Sequence, residues 1–197
     1  GVTTQRSYPD ADGSELESEW QKAWAAACLH GESELFDALP EALVYVMGAD
    51  TEGAAGNRWE VYDTWPPPST ETSLYLRAKG ELSVEQPEVG ELGQIFEHLP
   101  EDPTPVSGGR NLRLPSGSSD QQEIEGRDDV AVYTTAPLKD PVEIVGNLRA
   151  RLWVLSDKDV VDVVVRLTDV YPDGRSLLIA SGLTRVGGQA NEQLVEV

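Results

Sequence analysis

Lysine is scarce in this 197-residue chain, occurring only at Lys22, Lys79, Lys139 and Lys158, and the 15 basic residues stand against 35 acidic ones for a formal net charge of −20. A surface of that sign repels a phosphate backbone, which disfavours nucleic acid as a partner. Cysteine occurs once, at Cys28, so no intramolecular disulfide can form, and the two histidines, His30 and His98, make no zinc spacing. No apolar run approaches the roughly 20 residues of a membrane span. The opening GVTTQRSYPD has neither the basic flank nor the apolar stretch of a signal peptide. A soluble, cytoplasmic protein is expected, with secretion left open. The acidity fits two readings, an ordinary acidic protein or one adapted to high salt, where counterions screen self-repulsion; thermal melting in low and molar KCl separates them.

What is there is alternation. Leu148, Ala150, Leu152 and Val154 fall on one face with Arg149 and Arg151 on the other, and Val161, Val163, Val165 and Leu167 repeat the pattern against Asp162, Arg166 and Thr168. Between this second strand and the next, Tyr171-Pro172-Asp173-Gly174 has the residues a tight turn requires, which predicts an antiparallel hairpin. At about 200 residues a chain buries roughly 70% of its unfolded surface, enough for a core without staples.

One helix is predicted, residues 14–30, with Ser14 and Glu17 as a capping box, a stripe of Leu16, Trp20, Trp24 and Cys28, and Gly31 as the C-terminal stop. His30 reads as a charge partner for that helix end. Strands are expected at 42–47 (buried), 58–62, 73–77, 80–84, 130–135, 142–145 and, at the end, 193–197. Residues 85–128 read as one long irregular segment with isolated apolar anchors at Leu92, Ile95, Phe96, Leu112 and Leu114. Loops of that length inside a domain are functional or packed on a neighbour. About nine short strands, one N-terminal helix and long crossovers suggest an all-β chain of jelly-roll β-sandwich type.

Reactive motifs are missing. No G-x-S-x-G serine elbow occurs. Ser116-Gly117-Ser118-Ser119-Asp120 reads as a solvated turn, and Glu123, Glu125, Asp128 and Asp129 as a wet charge run. Gly108-Gly109 is not followed by a predicted helix and so makes no phosphate cradle. Asp157, Asp159 and Asp162 lack the glycine and terminal glutamate of an EF-hand, so no metal ligand set and no cofactor are assigned.

Several phrases nevertheless match a known family. Val46-Met47-Gly48, Arg58-Trp59, Trp65-Pro66-Pro67-Pro68, Asp102-Pro103 to Gly108-Gly109, Asp120-Gln121, Arg127-Asp128-Asp129-Val130, Tyr133 to Leu138 and, above all, Arg166 to Arg175 resemble the C-terminal domain of X-prolyl dipeptidyl-peptidase and cocaine-esterase type serine hydrolases, in order and spacing from about residue 33 onward. The resemblance implies a jelly-roll sandwich similar to galactose-binding domains, joined in the same polypeptide to an α/β-hydrolase domain that holds a Ser-Asp-His triad. It also implies that residues 1–32, with their helix, are a remnant of that hydrolase domain, its last helix, or a linker from it, and residues 33–197 the sandwich. His30 does not sit in the family's histidine motif, and Val160 and Val161 replace polar residues usual at that bend. The family's sandwich continues past the segment matching Gln193–Val197, so an open edge, a C-terminally truncated sandwich and pairing between copies are expected.

The expected function is therefore a non-catalytic domain that covers and shapes the acyl pocket of a serine hydrolase acting on peptide or ester bonds. No catalytic residue is assigned within the chain. Gly108, Gly109, Leu112 and Leu114 are the candidate pocket lining. The alternative is a stand-alone carbohydrate- or ligand-binding sandwich that stacks its ligand on Trp59, Trp65 or Trp153.

Overall fold

The computed structural model describes residues 6–112, 115–187 and 193–197, with the side chain of Gln193 left aside. Its regular structure is mostly strand, with helices at α1 (Ser14–His30), α2 (Glu34–Asp37) and α3 (Gln122–Glu125), so the all-β class holds. The chain divides into two compact units, one of Tyr8–Glu71 with Lys139–Asn147, the other of Thr72–Leu138 and Leu148–Val197 with the N-terminal residues.

In the first unit α1 spans the predicted residues, but its cap is not the predicted one. The N-cap is Gly13 without a side-chain cap bond, and Glu17 instead accepts a hydrogen bond from the Gln21 amide at 2.9 Å. The Ser14 N–H is taken by the Asp12 carboxylate at 3.0 Å, which holds that carboxyl below its ordinary range. The aspartate two residues upstream has displaced the capping box. The helix ends at Gly31, whose N–H donates to the Ala27 carbonyl while the Glu32 N–H donates to that of Ala26. Of the stripe, Leu16 and Trp20 are half-buried while Trp24 and Cys28 are exposed, and the buried helix residue is Ala23. β1 (Ala42–Val46) pairs antiparallel with β2 (Arg58–Tyr62). β1 is half-buried at every position instead of buried, and among the described residues it pairs with β2 alone. Tyr45 and Trp59, opposite one another in the ladder, meet edge to face at 5.4 Å. The expected strand at 142–145 is irregular chain, since Pro141 removes a ladder donor at its entry.

In the second unit β3 (Tyr75–Arg77) pairs antiparallel with β4 (Glu81–Ser83) across a turn at residues 78–80. β5 (Arg151–Val154) pairs with β8 (Gln193–Glu196), and Ala150 and Val197 extend that ladder by two bonds of 2.9 Å. The longest ladder joins β6 (Val160–Val170) to β7 (Ser176–Gly187), with a bulge at Leu167/Thr168. The predicted turn closes it: the Gly174 N–H donates to the Tyr171 carbonyl at 2.9 Å, and Gly174 has the φ of 94° that a side chain would oppose. Val161, Val163, Val165 and Leu167 are half-buried as alternation requires, and beyond Val165 Arg166 and Thr168 on the other face are half-buried as well. The inner face of β7 lies so close to the end of the chain that a Cβ on Gly182 would fall 2.8 Å from Val197 Cγ1. Ile124, Leu177, Leu178 and Val195 form the buried apolar core here.

The expected strand at 130–135 makes only a parallel bridge, Thr134 to Glu81, with Thr134 exchanging bonds of 2.8 and 3.0 Å with Gly80 and Leu82. β4 ends at Ser83, so there is no further edge for it to follow.

Candidate functional site

The long segment 85–128 builds a loop with a closed neck. The Gly109 N–H donates to the Gly117 carbonyl at 2.8 Å and the Gly117 N–H returns a bond to Gly109 at 2.9 Å, so the arm that leaves Gly109 and the arm that enters Gly117 are tied by an antiparallel bridge. The neck requires glycine. Gly108 has φ +70, and a Cβ there would lie 2.2 Å from Ser119 Oγ and 2.5 Å from the Gly117 carbonyl oxygen. The close approach that Gly108 permits is thus to the opposite arm of its own loop. Gly109 faces β7, where an added Cβ would make only ordinary contact with Leu178 and Ser181 at 3.6 Å. Leu112 is fully exposed, and Leu114 lies outside the described residues.

Beneath the neck is a buried polar cluster, two of whose members, Ser118 and Ser119, sequence reading placed in a solvated turn. Ser118, Ser119, Gln121 and Ser176 are all buried. Gln121 Nε2 donates to the Ser107 and Ser119 carbonyls, both at 3.1 Å, and lies 3.2 Å from Ser119 Oγ, which itself meets Ser107 Oγ at 3.0 Å. The Asp120 carboxylate accepts the N–H groups of Gln122 at 3.1 Å and Ser176 at 2.9 Å. Glu125 accepts the Ser176 hydroxyl at 2.7 Å and the Thr168 hydroxyl at 3.2 Å. The turn is therefore a seat that fixes the loop on β6 and β7. Local sequence shows Asp120 and Glu125 but not their partners Thr168 and Ser176, which lie about fifty residues downstream.

The rest of the segment is fastened in the same way. Arg127 donates to both Asp129 oxygens at 2.6 and 2.9 Å and to the Asp102 carbonyl at 2.8 Å, and Thr104 adds a bond to Asp129 at 3.1 Å. The guanidinium holds the Asp129 carboxyl down to about 2, and the Asp129 and Asp102 carboxylates push the Arg127 pKa up in turn. Asp129 is thus not part of a wet run; its side chain is largely covered. His98 Nδ1 stands 3.8 Å from the same carboxylate. Glu91 accepts the N–H groups of Ala78 and Glu88 and pairs with Arg77 at 3.7 Å, which lowers its pKa through the two backbone bonds first. Gln94 reaches the Val132 carbonyl at 3.3 Å and Arg166 the Pro105 carbonyl at 3.0 Å.

The first unit offers one further concavity, an open groove of about 790 Å³ along α1 whose walls include Trp20, Trp24, Phe36 and Trp59. Among the described residues no group of three His, Cys, Asp or Glu side chains is placed to hold a metal ion. No helix among them is long and apolar enough to cross a membrane.

Comparison with known proteins places this strand-rich chain in a family. The chain belongs to the family described as the X-Pro dipeptidyl-peptidase C-terminal non-catalytic domain, which matches residues 34–193. It is 33% identical over 191 residues to a cocaine esterase of Rhodococcus sp. (strain MB1 Bresler), covering 91% of this chain and 31% of that protein. It is also 31% identical over 134 residues to a putative serine esterase of Mycobacterium bovis, covering 66% of this chain and 21% of that protein. The chain thus spans a third or less of the length of these relatives.

Proposed function

We propose that this chain is the accessory β-domain of a serine hydrolase that cleaves ester or X-prolyl peptide bonds, and that its loop at residues 108–117 covers and shapes the acyl pocket of the catalytic domain. The carrying observation is the loop itself: a fully exposed leucine at position 112 held out on a neck of three glycines and a buried polar seat. Single exposed apolar side chains are common, Val89 and Ile95 among them; Leu112 differs in standing on a tied neck, which suits it to meet another surface. Membership of a non-catalytic domain family and esterase relatives roughly three times as long support a catalytic domain as that surface. On the same reading Gly108 and Gly109 set the loop base, Leu112 and Leu114 line the pocket, α1 belongs with the hydrolase domain, and the strand pairs are parts of a galactose-binding-like jelly roll.

In a polypeptide that joins this chain to its catalytic domain, Leu112→Asp raises KM for a p-nitrophenyl ester several-fold more than it lowers kcat, because a pocket wall and not the reacting groups is altered. Unchanged kinetics would sink the reading. The 197-residue chain alone should give no ester turnover sensitive to a serine-directed reagent.

One observation favours a second reading. Trp153 is 67% exposed and stands beside the exposed Leu194 in the β5–β8 ladder, a flat surface on which a sugar or another ring stacks. Quenching of tryptophan fluorescence by a carbohydrate, lost in Trp153→Ala, would establish that binding module in place of the first.

A further inference from the structure

Below the glycine neck the two arms of the loop meet through the Ser107–Ser119 hydroxyl contact and through one longer side chain that bonds to the backbone of both. Gln121 is 0% exposed, and its single Nε2 serves the Ser107 carbonyl on the incoming arm and the Ser119 carbonyl on the outgoing one. Its backbone ties the same point to the hairpin and to the helix: the Gln121 N–H donates to Ser176 O at 2.7 Å on β7, and its carbonyl accepts the Glu125 N–H at 2.8 Å in α3. An amide nitrogen carries two hydrogens, and here two carbonyls, one from each arm, receive them. Its Oε1 is buried with no hydrogen-bond partner among the described residues. Leaving an acceptor so is costly, so the donors are what the position uses.

We propose that Gln121 is a positioning residue, a clamp whose carboxamide holds the arms at Ser107 and Ser119 together and so sets where Leu112 stands. This rests on the reading that the projecting loop is the working part of the domain. No other side chain of similar size meets the requirement. Methionine fills the space but donates nothing; ionised glutamate places a charge against two carbonyl oxygens; protonated glutamate restores one of the two bonds.

The test is amide hydrogen exchange at Gly109 and Gly117 in the 197-residue chain, corrected for intrinsic rates, with the β6–β7 amides as internal reference. Gln121→Met raises exchange at the two glycines at least tenfold and leaves the reference amides unchanged. Gln121→Glu does the same at neutral pH and regains protection as the pH falls and its carboxyl acquires a proton, a recovery that lost packing alone does not produce and that Gln121→Met lacks. Wild-type exchange at the glycines in both variants, or equal loss of protection along β6–β7, would overturn the clamp. If Gln121→Met fails to fold, Gln121→Glu alone decides: protection at the two glycines that stays at the wild-type level at neutral pH, or that does not recover as the pH falls, overturns the proposal. The clamp and the pocket reading part company cleanly. Faster exchange in Gln121→Met together with unchanged kinetics in Leu112→Asp retains the clamp and discards the substrate-facing role of the loop.

Discussion

The β6–β7 hairpin and the segment 85–128 belong to the same compact unit and are held by opposite means. The hairpin is a continuous ladder from Val160–Gly187 to Val170–Ser176, broken only by the bulge at Leu167/Thr168. Its bonds are backbone to backbone, many and alike, and no single side chain is needed for them. The segment has almost no ladder. It is fixed by individual side chains reaching carbonyls and N–H groups, namely Glu91, Gln94, Gln121, Arg127 and Asp129, each an anchor with no duplicate. Redundant bonding tolerates substitution; solitary anchors do not. The difference also separates scaffold from the part that carries the candidate site, since a loop fixed from below by side chains leaves its own tip free to meet another surface.

The comparison breaks most severely where the two regions share a core. Leu177→Ala or Leu178→Ala, under both the hairpin and the loop base, should cost about 2–5 kcal/mol, read as a lower urea midpoint at constant slope. Gly108→Ala comes next. It combines a positive φ with a 2.2 Å approach to Ser119, and about 1–3 kcal/mol is expected, with the double variant Gly108→Ala/Ser119→Gly recovering part of it.

Acid sharpens the contrast further. Because Asp129 is held to about 2 in the folded chain against an ordinary 3.8, its contribution to stability is complete above 3.8 and fades as the pH falls from there toward 2. Asp129→Asn should therefore lower the melting temperature at pH 6 and make the loss between pH 4 and 2 shallower than in the wild type; parallel curves would show that Arg127 does not bind the segment through this carboxylate. The smallest effect belongs to the hairpin surface. Arg185 and Asp162 form an exposed pair at 2.6 and 2.7 Å across the ladder, and Asp162→Asn should leave the urea midpoint unmoved within error.

How much of this was legible follows the same line. Alternation in Val161 to Leu167 and the Pro-Asp-Gly turn announced the hairpin, because strand period and turn chemistry are properties of neighbours in the chain. The helix at 14–30 was legible for the same reason, although its cap was not, since Asp12 competes from outside the window in which a capping box is sought. Residues 130–135 have a strand's composition and lack a strand's partner, and composition alone does not report that. Gly108 and Gly109 were singled out as pocket lining; that Gly108 also packs against Ser119 and Gly117 of the opposite arm shows only in the fold. Gln121 and Ser119 escaped notice because a glutamine and a serine in a turn look solvated until the 107 arm and Ser176 are brought against them.

The amino-acid sequence by itself settled the strand-rich class, the hairpin, the helix and the family, all of them read from local period, turn residues and ordered phrases. Which polar side chains are buried, and hence which hold the projecting loop, was decided only by the tertiary structure. A hydrogen bond between residues 107 and 121 or between 125 and 176 exists because the fold excludes water there, and exclusion of water is a property of the assembled unit that no short stretch of chain contains.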